Sequence, residues 1–232
     1  MEVIRSETPK EAAGKAFGEV LKSYADLPVL LMLSGGSAMS ILDYVDESVL
    51  EPNMTLSVLD ERCSSDPAVN NFLQLKETKF FEKAVAKGVQ VISTEVQEEE
   101  GCLDVASRWE KNLLDWKIEN PDGVIVATMG IGPDGHVAGI MPNINEVPFS
   151  GENIVVSYSV PPEVNKYTDR ITVTYTFLRD YVDEGVAYAV GSEKQDIIKG
   201  LEENPAEKDT VTIPARVFNQ MSAVKLYSDV VE

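Results

Sequence analysis

Short apolar runs alternate with amphipathic stretches along the 232-residue chain, and this alternation limits the possible folds more than any other feature. The apolar runs of strand length are VLLML (29–33), LSVLD (56–60), VQVIS (89–93), DGVIVATMG (122–130), VAYAVG (186–191) and AVKLYS (223–228). Strands that are apolar along their whole length are typical of a parallel sheet covered on both faces. Strands alternating with helices therefore predict an α/β fold with a mostly parallel sheet.

Helices are predicted between these runs. Thr8-Pro9-Lys10-Glu11 predicts a capping box with proline at the first helical position, opening a helix that extends to about Tyr24. Other helices are expected over 37–45, 73–87 and 97–118, and from near Ser192. ENIVVSYSV (152–160) and DRITVTYTFL (169–178) are expected to be further strands. Because there is no linker or repeat, residues 1–232 are predicted to form a single domain.

The charge balance of the chain excludes several partners. It has 39 acidic and 20 basic residues, a formal net charge of −19. Such a field repels nucleic acid and anionic membranes, so neither is an expected partner, and a phosphate ligand would need a local cationic pocket. The first residues lack an apolar segment of signal-peptide length, and the run 28–33 is too short to span a membrane.

The two cysteines, Cys63 and Cys102, lie in no paired motif. This favours a reduced, cytoplasmic protein. Cys63 follows Arg62, which would lower the pKa of a thiol, but a buried inert thiol is the simpler interpretation. We therefore expect no disulfide.

The carboxyl ends of parallel strands are where ligands bind in α/β folds. Ser34-Gly35-Gly36-Ser37 follows the first apolar run, and its backbone N–H groups, a hydroxyl capping the next helix and the helix start would make an anion site. A ligand-free turn is the alternative. Asp60 and Arg62 follow the second run and point to one side of an extended segment, where a salt bridge is the simpler interpretation.

Three basic residues stand near other predicted element ends: Arg170, Lys194 and Arg216. Any one of them is compatible with a solvated surface charge. Lys194 lies at a predicted helix start, where a cation is unfavourable against the helix dipole, so a bound anion would explain its position.

MGIGPDGHVAG (129–139) has the glycine spacing of a dinucleotide-binding loop. That fingerprint requires the loop to open a long helix, whereas Pro142 would end a helix within about two turns. The alternative is chemical: Asp134 orients His136, the one histidine of the chain, and raises its basicity. A structural histidine is the other interpretation.

Taken in order, SGGS, DER, MGIGPDGHVAGIMP, RITVT, VGSEK and IPAR resemble the 6-phosphogluconolactonases and the related glucosamine-6-phosphate deaminases. The resemblance runs from about residue 8 to 228, and the G-x-G-x-D-G-H segment is its most specific element. It implies a three-layer Rossmann-like fold in which helices flank a mostly parallel central sheet. It also implies a sugar-phosphate site at the strand ends, in place of a nicotinamide site.

Two positions favour the lactonases. The deaminases typically carry a tyrosine after the Asp-Glu pair, where this chain has Arg62. They also typically carry a glutamate where this chain has Met141, and a thioether cannot relay protons. The resemblance therefore implies hydrolysis of 6-phosphogluconolactone to 6-phosphogluconate.

The chain also departs from the lactonase pattern. Ser37-Ala38-Met39 replaces the end of the usual SGGSTP, and GHVAGIMP replaces GHTASLFP, so Val137 and Gly139 each remove a hydroxyl. Asn70 and Asn71 take the place of the Ser-Asn that usually follows DER, and Asn70 departs from the serine. Because of these changes, an amino-sugar-phosphate deaminase or isomerase and a non-catalytic sugar-phosphate-binding paralogue stay open as alternatives.

We hypothesise that His136, held by Asp134, activates water while Arg62 stabilises the oxyanion. Asp60 would position Arg62 or a substrate hydroxyl. The substrate and its phosphate are expected to bind to Ser34, Gly35, Gly36, Ser37, Asp60, Arg170 and Lys194. We expect no cofactor and no metal, a phosphorylated sugar lactone as partner, and a monomer or homodimer.

Overall fold

Seven strands form one sheet in the computed structural model, which describes residues 1–145 and 147–230. In sheet order they are β1 (Glu2–Ser6), β10 (Val224–Asp229), β9 (Glu184–Tyr188), β6 (Val124–Gly130), β2 (Val29–Leu33), β3 (Met54–Val58) and β5 (Gln90–Val91). Every neighbouring pair is parallel. The predicted parallel α/β sheet is therefore confirmed, and β1 is an edge strand that the apolar pattern did not predict.

Helices cover this sheet. They are α1 (Pro9–Ser23), α2 (Asn71–Lys76), α3 (Lys79–Ala86), α4 (Cys102–Glu119), α5 (Tyr175–Asp180) and α6 (Gln195–Glu203). Within the residues that the structure describes, five 3-10 helices join them: Gly36–Tyr44, Glu47–Val49, Val147–Phe149, Ser192–Lys194 and Pro214–Asn219. Every residue of β2 and β3 is buried, which requires cover on both faces and agrees with the expected three-layer fold. No helix within the described ranges is both long and apolar enough to cross a bilayer.

A second sheet, which the sequence did not predict, contains β4 (Asp60–Arg62), β8 (Asp169–Val173) and β7 (Val155–Ser159) in an antiparallel arrangement. The predicted strand 56–60 is thus divided between the two sheets at Leu59. The Leu59 N–H donates to the Leu33 carbonyl of β2 at 3.0 Å, and the Leu59 carbonyl accepts from the Val173 N–H of β8, also at 3.0 Å. One residue therefore connects the end of the large sheet to the start of the small one.

Two predicted elements prove to be two elements each. The predicted helix 73–87 is interrupted before α3, where the Thr78 side chain accepts from a backbone N–H of α3 at 3.1 Å. The predicted strand 169–178 ends at Val173, because Thr174 caps α5 in the same way at 3.2 Å. In both cases a threonine that fits a strand or helix pattern acts instead as an N-cap.

Helix starts also differ from the predictions. Pro9 is the first residue of α1 as expected, but the Thr8 side chain makes no capping hydrogen bond, so the capping box is not formed. Instead, the Thr8 N–H donates to Ser6 Oγ at 3.0 Å. The predicted helix 37–45 is a 3-10 helix whose N-cap is Gly35, so Ser37 does not cap it.

The expectation of unpaired cysteines is wrong. Cys63 and Cys102 form a disulfide that closes a sequence separation of 39 residues and joins the end of β4 to the start of α4. The turn into β4 carries Cys63 to a Cα–Cα distance of 5.6 Å from Cys102, within the range that a disulfide requires. Two cysteines this far apart in sequence show no pairing signal until the small sheet is in place.

The disulfide gives the first prediction. In the chain-entropy description, opening a loop of this length removes up to about 4 kcal/mol from the free energy of unfolding. We expect the Cys63→Ser/Cys102→Ser double variant to unfold at lower urea concentration than the oxidised protein, and reduced wild type to match the variant. Thiol titration of the denatured, unreduced protein is the control, since two reactive thiols there would contradict the disulfide.

Candidate functional site

A cleft of about 250 Å³ opens at the carboxyl ends of the parallel strands. Nine of the predicted site residues line it: Ser34, Gly35, Gly36, Ser37, Asp60, Arg62, His136, Arg170 and Lys194. The tenth, Asp134, lies behind the cleft in contact with His136. Arg216 does not line the cleft, and its Nη1 lies 3.5 Å from the Asp209 carboxylate. The structure therefore brings the predicted constellation together and leaves one noted cation outside it.

The imidazole of His136 is held by Asp134. Asp134 Oδ1 lies 2.6 Å from His136 Nδ1 and accepts from the His136 backbone N–H at 3.1 Å. Partial burial raises the pKa of Asp134, but its hydrogen bonds to His136 and the imidazole charge outweigh that effect and lower it overall. Because the carboxylate can only accept, Nδ1 carries the proton when the ring is neutral, and Nε2 is then the acceptor.

A tight turn of glycines makes this contact possible. The Gly132 N–H donates to the His136 carbonyl at 2.9 Å, and Gly135 adopts a φ of +83°. A Cβ on Gly132 would lie 2.1 Å from the imidazole Nδ1 atom. The glycine spacing therefore serves the approach of the ring to the backbone, with no long helix following it.

The next four residues, Val137–Ile140, form a second tight turn. Ala138 and Gly139 have φ values of +45° and +67°, and the Ile140 N–H donates to the Val137 carbonyl at 2.8 Å. A Cβ on Gly139 would lie 2.7 Å from Asp60 Oδ2. The glycine that replaces the expected serine therefore lets Asp60 pack against the turn.

Two side chains of the small sheet hold this turn by hydrogen bonds to its carbonyl groups. The Thr172 hydroxyl donates to the Ala138 carbonyl, and the Tyr158 hydroxyl donates to the Gly139 carbonyl. Burial raises the pKa of Tyr158 to about 12, so the phenol keeps the proton that this hydrogen bond needs. Neither side chain was among the predicted site residues, because their role depends on a sheet that the sequence did not predict.

Antiparallel pairing explains which side chains face the cleft. Arg62 is opposite Arg170, which is opposite Tyr158, and Asp60 is opposite Thr172. Paired residues of an antiparallel sheet share one face. The alternation in DER and DRITV therefore places both arginines on the same surface.

The cations of the cleft are poorly neutralised by the protein. Arg62 donates from Nη1 to the Val69 carbonyl at 3.2 Å, while Arg170 and Lys194 are 3% and 9% exposed. Within the described residues none of the three makes a salt bridge, and the buried Nε atoms of Arg62 and Arg170 have no partner. Burial lowers the pKa of Arg170. Buried donors without partners at a cleft are suited to an anionic ligand.

Asp60 does not form the salt bridge with Arg62 that is the simpler sequence interpretation. Its Oδ2 accepts from Asn71 Nδ2 at 3.3 Å, and its carbonyl accepts from the same nitrogen at 2.9 Å. Both Asp60 oxygens are acceptors, so the Asn71 amide turns its nitrogen toward Asp60 and its Oδ1 away from it. Oδ1 is buried without a partner and would lie 2.4 Å from a Cβ on Gly35. Gly35 is thus required where the loop passes Asn71.

The loop predicted to bind an anion has one of its N–H groups already in use. Gly36 has a φ of +62° and open space around its Cα, which suits a backbone that approaches a ligand. The Ser34 N–H is already used, because it donates to Thr128 Oγ1 at 3.1 Å. The loop therefore offers N–H groups from its glycine end.

Glu61, outside the predicted set, joins the parts of the site behind the cleft. Its Oε1 accepts from the backbone N–H groups of Asn71 at 2.6 Å and Arg62 at 2.8 Å. Its Oε2 accepts from the Phe72 N–H at 2.9 Å and the Thr94 hydroxyl at 3.1 Å. The sequence did contain a signal for Glu61. It stands between two cleft residues of one strand, so its side chain must point to the opposite, buried face.

Within the described ranges, no three His, Cys, Asp or Glu side chains are grouped so that they could hold a metal ion. The polar groups of the cleft are instead arginine, lysine, amide, hydroxyl and imidazole groups with one carboxylate.

Comparison with known proteins gives a consistent family. A family model described as glucosamine-6-phosphate isomerases/6-phosphogluconolactonase matches residues 7–227. A probable 6-phosphogluconolactonase of Dictyostelium discoideum is 31% identical over 101 residues, which cover 44% of this chain and 40% of that protein. The match thus spans less than half the length of this curated relative.

Solved structures share the fold. The 6-phosphogluconolactonase from Trypanosoma brucei has a TM-score of 0.76 at 18% identity, with 98% of this chain and 95% of that chain covered. The 6-phosphogluconolactonase from Plasmodium vivax also has a TM-score of 0.76, at 14% identity, with 99% and 90% covered. At such low identities the likeness concerns the fold.

The turn at Gly139 yields a stability prediction. Gly139→Ser should lower the free energy of unfolding by about 2 kcal/mol or more, because a side chain there combines a left-handed backbone with a collision at Asp60. Gly36→Ala is the control: it shares the positive φ but meets no atom within 4 Å. Urea unfolding measures both, and equal losses would contradict the collision with Asp60.

Glu61 yields a pH prediction. Burial raises its pKa from 4.5 to about 7, against the lowering effect of three backbone N–H groups. The folded protein thus holds a proton that the unfolded chain loses, so this stabilisation is complete below about pH 4.5 and is lost as pH rises through about 7.

The expected loss is about 3 kcal/mol relative to Glu61→Gln, which cannot titrate. Urea unfolding of both proteins from pH 4.5 to 8 measures it. The NH₂ group of the Gln side chain would face a backbone N–H donor, which lowers the stability of the variant by an amount that does not vary with pH. The result is therefore the difference in how the free energy of unfolding of the two proteins changes with pH. Parallel stability curves would contradict the raised pKa.

Proposed function

We propose, since the chain belongs to the glucosamine-6-phosphate isomerase/6-phosphogluconolactonase family, that it hydrolyses 6-phosphogluconolactone to 6-phosphogluconate, a reaction of the pentose phosphate pathway. The observation that carries the proposal is a carboxylate-held imidazole in the same cleft as buried, unpaired cations. A lactone hydrolase needs a base for water and positive charge for an oxyanion, and a phosphorylated substrate needs further cations.

His136 acts as the general base in this proposal. Its Nδ1–H is held by Asp134, so Nε2 takes a proton from water as the water oxygen bonds to the lactone carbonyl carbon. The resulting imidazolium lies next to the Asp134 carboxylate, which stabilises the positive charge. The low pKa of Asp134 keeps that carboxylate ionised for this role.

Arg62 stabilises the oxyanion of the tetrahedral intermediate. Arg62 lines the cleft, and the Val69 carbonyl holds one of its guanidinium donors, which restricts the direction of its positive charge. When the intermediate collapses, the bond between the carbonyl carbon and the ring oxygen breaks. His136 then returns its proton to the departing ring oxygen, and the new carboxylic acid ionises.

The phosphate binds to the remaining donors of the cleft. We assign it to the glycine end of the Gly35-Gly36-Ser37 loop together with Arg170 and Lys194, all of which line the cleft. These cations give a local positive potential inside a chain whose net charge is −19. Asp60, held by Asn71, accepts a substrate hydroxyl.

Met141 distinguishes this proposal from deamination of an amino-sugar phosphate. It is 3% exposed and lines the cleft, where its thioether cannot carry protons for ring opening. Hydrolysis of a lactone requires no such relay beyond His136.

Acid release from freshly made 6-phosphogluconolactone tests the proposal. Wild type should exceed the spontaneous rate, and His136→Ala should lower kcat by about 10²–10⁴-fold, because the general base is lost. Lys199→Gln, which changes an exposed cation of α6 outside the cleft, is the control and should match wild type.

Three outcomes would decide against lactone hydrolysis. Wild type at the spontaneous rate would contradict it. Ammonia release from glucosamine 6-phosphate would assign the site to deamination. A thermal shift with 6-phosphogluconate in the absence of turnover would assign it to binding alone.

A further inference from the structure

The loop between β7 and β8 borders the cleft beside Arg62. The Val160 N–H donates to the Thr168 carbonyl at 2.9 Å and closes the loop at its base. Within it, the Tyr167 N–H donates to Asn165 Oδ1 at 3.0 Å. Asn165 lines the cleft, and this hydrogen bond fixes the backbone that presents the Tyr167 ring.

The Tyr167 ring packs on the guanidinium of Arg62. Arg62 Cζ lies 5.3 Å from the ring centroid, within the distance for attraction between a cation and an aromatic face. Lys166 Nζ lies 4.6 Å from the same centroid, so the half-buried ring contacts two cations. With Nη1 held by the Val69 carbonyl, the ring gives Arg62 a second, independent constraint.

Arg62 needs such a constraint because of its neighbour. It is directly opposite Arg170 in the β4–β8 pair, and like charges at opposite positions of an antiparallel pair repel. No carboxylate of the described residues forms a salt bridge with Arg62. The electron-rich ring face, together with the Val69 carbonyl, therefore offsets this repulsion.

We infer that Tyr167 is a positioning residue that holds the Arg62 guanidinium in place for the oxyanion. The inference rests on the proposed function, in which Arg62 stabilises the tetrahedral intermediate. Tyr167 acts through its ring face, so phenylalanine should replace it and an aliphatic side chain of similar bulk should not. Because Arg62 acts as charge develops on the substrate, losing the ring should lower kcat more than it raises KM.

Steady-state kinetics of the full chain with 6-phosphogluconolactone provide the first test. Tyr167→Leu should lower kcat by about tenfold, with KM changing by less than about threefold, and Tyr167→Phe should stay within about twofold of wild type. Val164→Ala is the control for the loop, because Val164 is exposed and does not line the cleft. It should match wild type.

A second test does not depend on turnover. In protein labelled with ¹⁵N-arginine, the Nε–H signal of Arg62, assigned by its loss in Arg62→Lys, should carry a ring-current shift from Tyr167. The shift should be lost in Tyr167→Leu and kept in Tyr167→Phe and Val164→Ala.

The outcomes separate the two proposals. If wild type turns over the lactone but Tyr167→Leu has unchanged kcat, the positioning inference is wrong and the function stands. Equal losses of kcat in Tyr167→Leu and Tyr167→Phe, or in Val164→Ala, would also overturn it. If wild type shows no turnover, the proposed function fails, and an Arg62 signal unchanged in Tyr167→Leu would overturn the inference as well.

Discussion

The passage of the chain from one sheet to the other at Leu59 is the constraint on which the site depends. Leu59 is fully buried and uses its N–H on β2 and its carbonyl on β8. It can do so only if β4 starts where β3 ends, at the carboxyl edge of the parallel sheet. Asp60 and Arg62 then have one possible location, on a small antiparallel surface opposite the loop that carries His136. The disulfide at Cys63 ties the same segment to α4.

The two arginines of this surface cost stability, because their buried Nε atoms have no partner among the described residues. Among the described residues, the buried side-chain atoms without partners are Arg62 Nε, Arg170 Nε and Asn71 Oδ1. All three belong to residues that line the cleft. Buried polar groups normally find partners, so such exceptions concentrate where a ligand supplies them. The chain as a whole has a net charge of −19 and repels anions, so an anionic ligand is attracted only where such a local positive region exists.

The sequence predicted the parts of the fold that depend on local pattern. The apolar run of β2 is buried throughout and that of β6 is buried up to Met129, and the end of each run marks an edge of the cleft. The small sheet was not predictable in this way, because β4 has three residues, all charged, and pairs with a strand more than 100 positions later. The same reason hid the disulfide at Cys63 and the role of Tyr158, which depend on tertiary proximity alone.

For the site, residue chemistry at strand ends identified the groups that line the cleft, and tertiary contacts set what each can do.

The central claim is tested most directly by comparing the protonation of His136 with the pH dependence of catalysis. The chain has one histidine, so its imidazole NMR signals can be titrated without ambiguity. We predict that kcat/KM for 6-phosphogluconolactone rises over the pH interval in which His136 loses its proton. A rise in kcat/KM at a different pH, or none at all while His136 titrates, would contradict His136 as the base.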